Sequence, residues 1–310
     1  TGKAQLDWTG FIALSIAIGA VQLVLSRGQR LDWYESTEII IETMIAVIAF
    51  WIFAVHSLTA KQPFLKPQHL LNRNYTLGLM IVTIYGMVNF TPMVLLPPLL
   101  REYAGFPDAV IGVIIAGRGL GGTIGFLAAG FSSRLDPRLS MTIGFGMLFT
   151  AGIWLMNMDL NVTVFSLVAN AFLQGLAIGA IWVPLTVLTF ANVRPADMAE
   201  TTAIYHLLRN LGSSFFISIS VTEIVRSTTA NYSRMVELVN PFNKSLSFSE
   251  VLGRWDVESA RGLAQLGSEI NRQSAMIGYL NAFGMFTAAC ACTVPLILLM
   301  RKRSAQPASK

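Results

Sequence analysis

The chain has 310 residues, of which 54% are hydrophobic and only 13% charged, with a mean hydropathy of +0.58 and a formal net charge of +5. Soluble domains carry about 25% charged residues, so there is too little charge here to cover two water-exposed domains. The basic residues stand singly between apolar blocks, without a row of exposed aromatics, which excludes a nucleic-acid-binding surface.

A bilayer core takes about 20 apolar residues per helix. The blocks at roughly 8–25, 38–58, 75–99, 108–131, 140–157, 162–190, 201–225 and 275–300 meet that length and predict an all-α polytopic membrane protein with eight transmembrane helices. The first span ends in the turn-rich "SRGQRLDWYES". The second holds Glu42 a few residues from its boundary, where a solvated or interfacial carboxylate is expected, and ends in "KQPFLKPQHLLNRN". In the third, Tyr85, Asn89 and Met93 recur at i, i+4 spacing among Pro92, Pro97 and Pro98. That pattern fits either a kinked helix with an amphipathic cavity face or ordinary core packing.

The fourth span contains "AGRGLGGTIG", whose Gly117-x-Gly119-x-x-Gly122 spacing matches a dinucleotide-binding fingerprint, with Asp136 standing where its acidic partner is expected. Hydrocarbon offers no water to an irregular phosphate-cradling loop. The favoured reading is therefore a small-residue strip, Gly121-x-x-x-Gly125 with Gly117 and Gly130, against which another helix packs. Arg118 lies ten residues into this span, and a charge at the bilayer centre costs about 3 kcal/mol even on the insertion scale. It is expected either to lock two helices together or to serve substrate or ion passage.

"SSRLDPRLS" leads to the fifth span, and the sixth carries Asn170 and Gln174 on one helical face, open to a cavity role or to interhelical hydrogen bonding. Span seven holds His206, Arg209 and Asn210, with Arg209 free to snorkel toward the interface. Glu200 and Glu223 flank it near its two edges, so no deep acid is evident. A polar connection, residues 226–274, includes "NPFNKS" and the helix-like "VESARGLAQLGSEINRQ". In the last span Cys290 and Cys292 point apart on a helix and read as packing residues.

His56, His69 and His206 lack metal spacing, and no catalytic triad, phosphate loop, CxxC or HExxH motif occurs. Neither enzyme chemistry, a metal nor a cofactor is expected. Lys3, Lys61, Lys66, Arg73, Arg134, Arg138, Arg194, Arg301, Lys302, Arg303 and Lys310 fall on the side of the termini, against Arg27, Arg30 and Arg101 in the opposite short connections. The imbalance predicts cytoplasmic termini.

The segment "QGLAIGAIWVPLTVLTFANVRPADMAETTAIYHLLRNLGSS" resembles the fourth and fifth helices of the C-terminal half of fourteen-span major facilitator drug:proton antiporters. The resemblance rests on Gln174-Gly175, Pro184-Leu185-Thr186 and Arg209-x-x-Gly212-Ser213. "YSRMVELVNPFNKSL" and "NRQSAMIGYLNAF" are similar to the EmrB-like branch, found in the inner membrane of Gram-negative bacteria, and "GFSSRLDPR" to a family loop in which an acid is frequent at the position of Ser133.

The resemblance implies that residues 1–60 are two extra helices between the halves. Residues 61–310 would then be the C-terminal six-helix bundle with a long periplasmic loop at 226–274, the N-terminal six helices being absent from what is expected to be a fragment. It further implies efflux of hydrophobic or amphipathic small molecules in exchange for protons, a periplasmic adaptor of the EmrA type, and a proton site mainly in the other half. Tyr85, Asn89, Arg118, Asn170, Gln174 and Arg209 are the expected cavity residues. Export of a siderophore or other metabolite, and a non-transporting scaffold or receptor, are the alternative readings.

Overall fold

The computed structural model describes residues 7–60, 71–131, 136–240, 243 and 259–300. These residues form eight long helices and no strand: α1 (Trp8–Arg27), α2 (Thr37–Thr59), α3 (Arg73–Pro98), α4 (Asp108–Phe131), α5 (Pro137–Met156), α6 (Val164–Phe190), α7 (Met198–Val236) and α8 (Ala260–Leu299). The chain is a multi-pass membrane protein. Seven of the helices are long and apolar enough to cross a bilayer, and α7 is the exception. Its His206, Arg209, Asn210, Glu223 and many Ser and Thr residues lower its hydropathy, but it packs against α3, α8 and α1, which shelter much of that polarity.

Local chemistry sets the helix ends. Asn72 accepts from the backbone N–H groups of Asn74 and Tyr75 at 3.1 and 3.4 Å, and the Ser259 hydroxyl accepts from Gly262 at 3.1 Å. Asp136, the acid of the apparent dinucleotide fingerprint, caps α5 instead, accepting from the Arg138 N–H at 3.2 Å ahead of Pro137. Pro97 and Pro98 supply no N–H to the end of α3, and the chain widens there into a π turn over Leu99–Tyr103.

Two close seams organise the bundle. Along α4 and α6, a Cβ on Gly121 would lie 2.1 Å from the Phe172 carbonyl oxygen, one on Gly125 2.6 Å from that of Leu176, and one on Gly175 2.2 Å from that of Arg118. Only residues without a side chain permit this approach, so the glycines serve helix packing as predicted. The strip runs through Gly117, Gly121 and Gly125, whereas Gly130 faces open space and does not belong to it. A second seam joins α3 to α7 at Gly86 and Gly212.

The hairpin of α1 and α2 packs chiefly on itself and reaches the rest through α1 against α7, where the Thr222 hydroxyl donates to Gln29 Oε1 at 3.0 Å. Glu42 is buried, not solvated as expected: its Oε1 lies 3.6 Å from an Arg27 terminal nitrogen, which also pairs with Glu38. Burial of a carboxylate requires such a partner.

The connection between spans seven and eight is more helical than its polarity predicts. Helix α7 continues to Val236 and α8 already begins at Ala260. At 1.5 Å per residue, their 39 and 40 residues reach about 60 Å, twice the roughly 30 Å hydrocarbon core. Polar contacts continue along this extension, with Ser227 Oγ accepting from Asn281 at 2.9 Å and from Asn231 at 3.1 Å. Ser133, Arg134, Lys61, Lys66, Lys3, Lys310, His69 and the basic cluster at 301–303 lie outside the described residues.

Candidate functional site

Arg118 solves its burial by collecting neutral oxygens from two neighbouring helices. One terminal nitrogen donates to Gln174 Oε1 of α6 at 2.8 Å; the other donates to Asn89 Oδ1 of α3 at 2.9 Å and also to the Asn89 carbonyl. The chain of bonds continues inward. Gln174 Nε2 donates to Asn170 Oδ1 at 2.7 Å, one turn back on the same helix, and Asn170 Nδ2 donates to the Ala151 carbonyl of α5 at 2.9 Å. Four helices are thereby joined, and each amide faces a partner of the correct polarity. Gln174 and Asn170 are 1% and 2% exposed, so these bonds compete with little water.

No carboxylate pairs with Arg118 among the described residues. Arg118 and Gln174 also line a groove between α3, α4 and α6. The remaining lining is apolar: Pro92, Met93, Leu96, Pro97 and Leu100 from α3 and its π turn, Ile111, Ile114 and Ile115 from α4, and Ala171 from α6. The groove is shallow and holds a cavity of only about 20 Å³, far below the volume of a ligand pocket.

The other two expected cavity residues belong to an adjoining aromatic group. Tyr85, 2% exposed, lies with its ring centroid 5.4 Å from that of Trp182. The Arg209 guanidinium sits 5.2 Å from the Trp182 ring centroid and donates to Asn210 Oδ1 at 3.2 Å. Tyr205 and His206 complete the cluster, with centroids 5.7 and 5.9 Å from Trp182.

The structure thus places the six expected residues in two groups: Asn89, Arg118, Asn170 and Gln174 in an amide–guanidinium chain, and Tyr85 and Arg209 in an aromatic cluster. Sequence reasoning did not place Trp182, Tyr205 or Thr186 among the expected cavity residues; the Thr186 hydroxyl lies 3.4 Å from that of Tyr205. The available signal was their position: aromatics in mid-span, away from the interfacial belt, beside a buried arginine.

Comparison with known proteins adds a family. The sequence profile of the Major Facilitator Superfamily matches residues 6–217. The chain is 30% identical over 295 residues to the multidrug export protein EmrB of Escherichia coli strain K12, covering 92% of this chain and 56% of that protein. It is 25% identical over 292 residues to the probable multidrug resistance protein EmrY of the same strain, covering 93% and 57% of the two chains. The fatty acid resistance protein FarB of Neisseria gonorrhoeae is 24% identical over 303 residues, with 97% and 60% covered. The chain therefore spans somewhat more than half the length of these relatives.

Proposed function

This chain belongs to the Major Facilitator Superfamily, and we propose that it works as part of a multidrug exporter that exchanges hydrophobic or amphipathic compounds for protons by alternating access. It is read as a transporter and not an enzyme. Helices α1 and α2 are assigned to an extra pair between two halves, and α3 to α8 to a six-helix half, with cytoplasmic termini in a bacterial inner membrane. The extended ends of α7 and α8 are assigned to the outer face, where an adaptor of the EmrA type would dock.

The observation that carries this reading is the chain from Asn89 through Arg118, Gln174 and Asn170 at membrane depth, beside a groove with an open mouth. A buried guanidinium is expensive in lipid and is kept where polar solute or water must be met. Tyr85 and Arg209, around Trp182, are assigned to the same cavity wall. The proton is assigned mainly to the other half, as the family resemblance implies.

The test is flux. The intact transporter in proteoliposomes should move a lipophilic dye when a pH gradient is imposed and stop when the gradient is collapsed. Dye movement indifferent to the gradient would refute proton exchange. In cells, Arg209→Ala should abolish drug resistance while the protein remains expressed.

A further inference from the structure

Within the aromatic cluster, His206 is the side chain that changes charge near neutral pH. It lies eight positions after Met198, the first residue of α7, about 12 Å along the helix. Its ring centroid stands 5.9 Å from that of Trp182, with the planes 36° apart, and 5.6 Å from that of Tyr205, edge-on at 84°. The ring is half-buried, and neither nitrogen has a hydrogen-bond or ion-pair partner among the described residues. A histidine kept for packing alone normally spends a nitrogen on a neighbour. This one keeps a nitrogen lone pair for a proton.

The charge beside it is permanent. Arg209, three residues further along α7, sits 5.2 Å from the centroid of the same indole, so Trp182 meets one fixed cation and one conditional cation. While neutral, the imidazole packs against the indole as one aromatic ring against another. Once protonated, it competes with Arg209 for the electron-rich face of Trp182 and repels it, because like charges one helical turn apart oppose each other. The packed elements offer little relief. Helix α6 brings Trp182 and Thr186, α3 the phenols Tyr75 and Tyr85, and the C-terminal half of α8 the thiols Cys290 and Cys292. On α1, Asp7 pairs with His56 at 2.8 Å and Arg27 with Glu38; in the turn before α7, Asp197 pairs with Arg194 at 2.8 Å. Glu200 stands six residues before His206, about 9 Å along α7. No carboxylate lies within ion-pair distance of His206 among the described residues.

We propose that His206 is a second proton-binding site of the transporter, and that proton uptake there lifts Arg209 from Trp182. This rests on the proton-exchange reading above and adds to it a titrating group within this chain. The proton comes from water and adds to a ring nitrogen; no bond between heavy atoms forms or breaks, and the local charge rises by one. Arg209 then turns from the indole toward exposed Asn210, whose Oδ1 already accepts from it at 3.2 Å. Loss of the proton restores the ring stacking and returns the guanidinium to Trp182. Protonation therefore changes the wall formed by Tyr85, Trp182 and Arg209 in the same half that senses it.

The test reads Trp182 emission and flux separately. In the intact transporter, the emission of Trp182 is the difference between the wild-type and Trp182→Phe spectra. An imidazolium against an indole quenches it, so this difference should fall on acidification in a one-proton transition with its midpoint between about pH 5 and 8. His206→Gln and His206→Asn should each abolish the transition. In proteoliposomes, dye export at a fixed pH gradient should follow the same midpoint in the wild type, and either variant should flatten that profile. The wild-type profile needs no variant, so misfolding of one substitution would not shield the proposal.

Proton-driven flux with Trp182 emission unchanged from pH 8 to 5 would overturn the second site and leave the transporter reading standing. A transition that persists in a folded His206→Gln protein would also overturn it, since another group would then be titrating. An emission transition lost in both variants, with no proton-linked flux of any compound, would uphold the proton site and count against the exporter.

Discussion

Gly86 of α3 stands so close to Arg209 of α7 that a Cβ there would lie 2.0 Å from the Arg209 carbonyl oxygen. The position of one membrane-depth arginine is therefore set by the missing side chain of a residue on another helix. Gly86→Ala must push α3 and α7 apart and is expected to cost about 1–3 kcal/mol, the usual range for overpacking. It should lower the melting temperature in detergent and, by moving Arg209 off Trp182, reduce transport as well.

The α4–α6 seam supplies its own control. A Cβ on Gly121 would meet the Phe172 carbonyl oxygen at 2.1 Å, while one on Gly119, two residues earlier, would have no neighbouring atom within 4 Å. Gly121→Ala should destabilise by about 1–3 kcal/mol, and Gly119→Ala should be neutral or slightly stabilising because alanine is the better helix former. Equal melting temperatures for the two variants would show that the helices do not meet along this strip.

Gln174→Glu places a carboxylate 2.8 Å from the Arg118 guanidinium at almost no change in volume. The internal ion pair is opposed by the loss of the Gln174 Nε2 donation, which leaves an oxygen facing Asn170 Oδ1, so the melting temperature should fall. Calorimetry on the purified variant would check this, and a raised melting temperature would show that the ion pair outweighs the lost amide donor.

Trp182 holds Arg209 through its ring face at 5.2 Å. Trp182→Leu removes that attraction and should cost roughly 1–2 kcal/mol in addition to lost packing. Trp182→Phe should recover much of the stability. A thermal-melt series across the three residues would show the order Trp, Phe, Leu.

In the hairpin, Arg27→Ala leaves buried Glu42 without its cation. The loss should be smaller than the roughly 3–5 kcal/mol of a fully buried pair, because the Arg27 side chain is 40% exposed and is shared with Glu38. Adding Glu42→Gln to Arg27→Ala should recover stability. A double-mutant cycle with no coupling would mean that the pair contributes nothing.

The membrane class, the number of helices and most of their positions were legible in the sequence, because hydropathy adds up along a single helix and a spanning segment must satisfy its own backbone. For the same reason Arg118 stood out as a residue in need of company and the spaced glycines as a contact strip, although Gly130 proved to lie outside it. The tertiary structure alone decided who the companions are. Gln174 lies 56 residues from Arg118 and Asn89 lies 29; the indole beneath Arg209 and the arginine beside Glu42 likewise come from other helices. Nor could hydropathy foresee that α7 continues into the polar connection as far as Val236. The azimuth at which each cylinder docks is set by close packing between distant segments, and a linear pattern of polar and apolar residues records which groups must be paired but not with which partner.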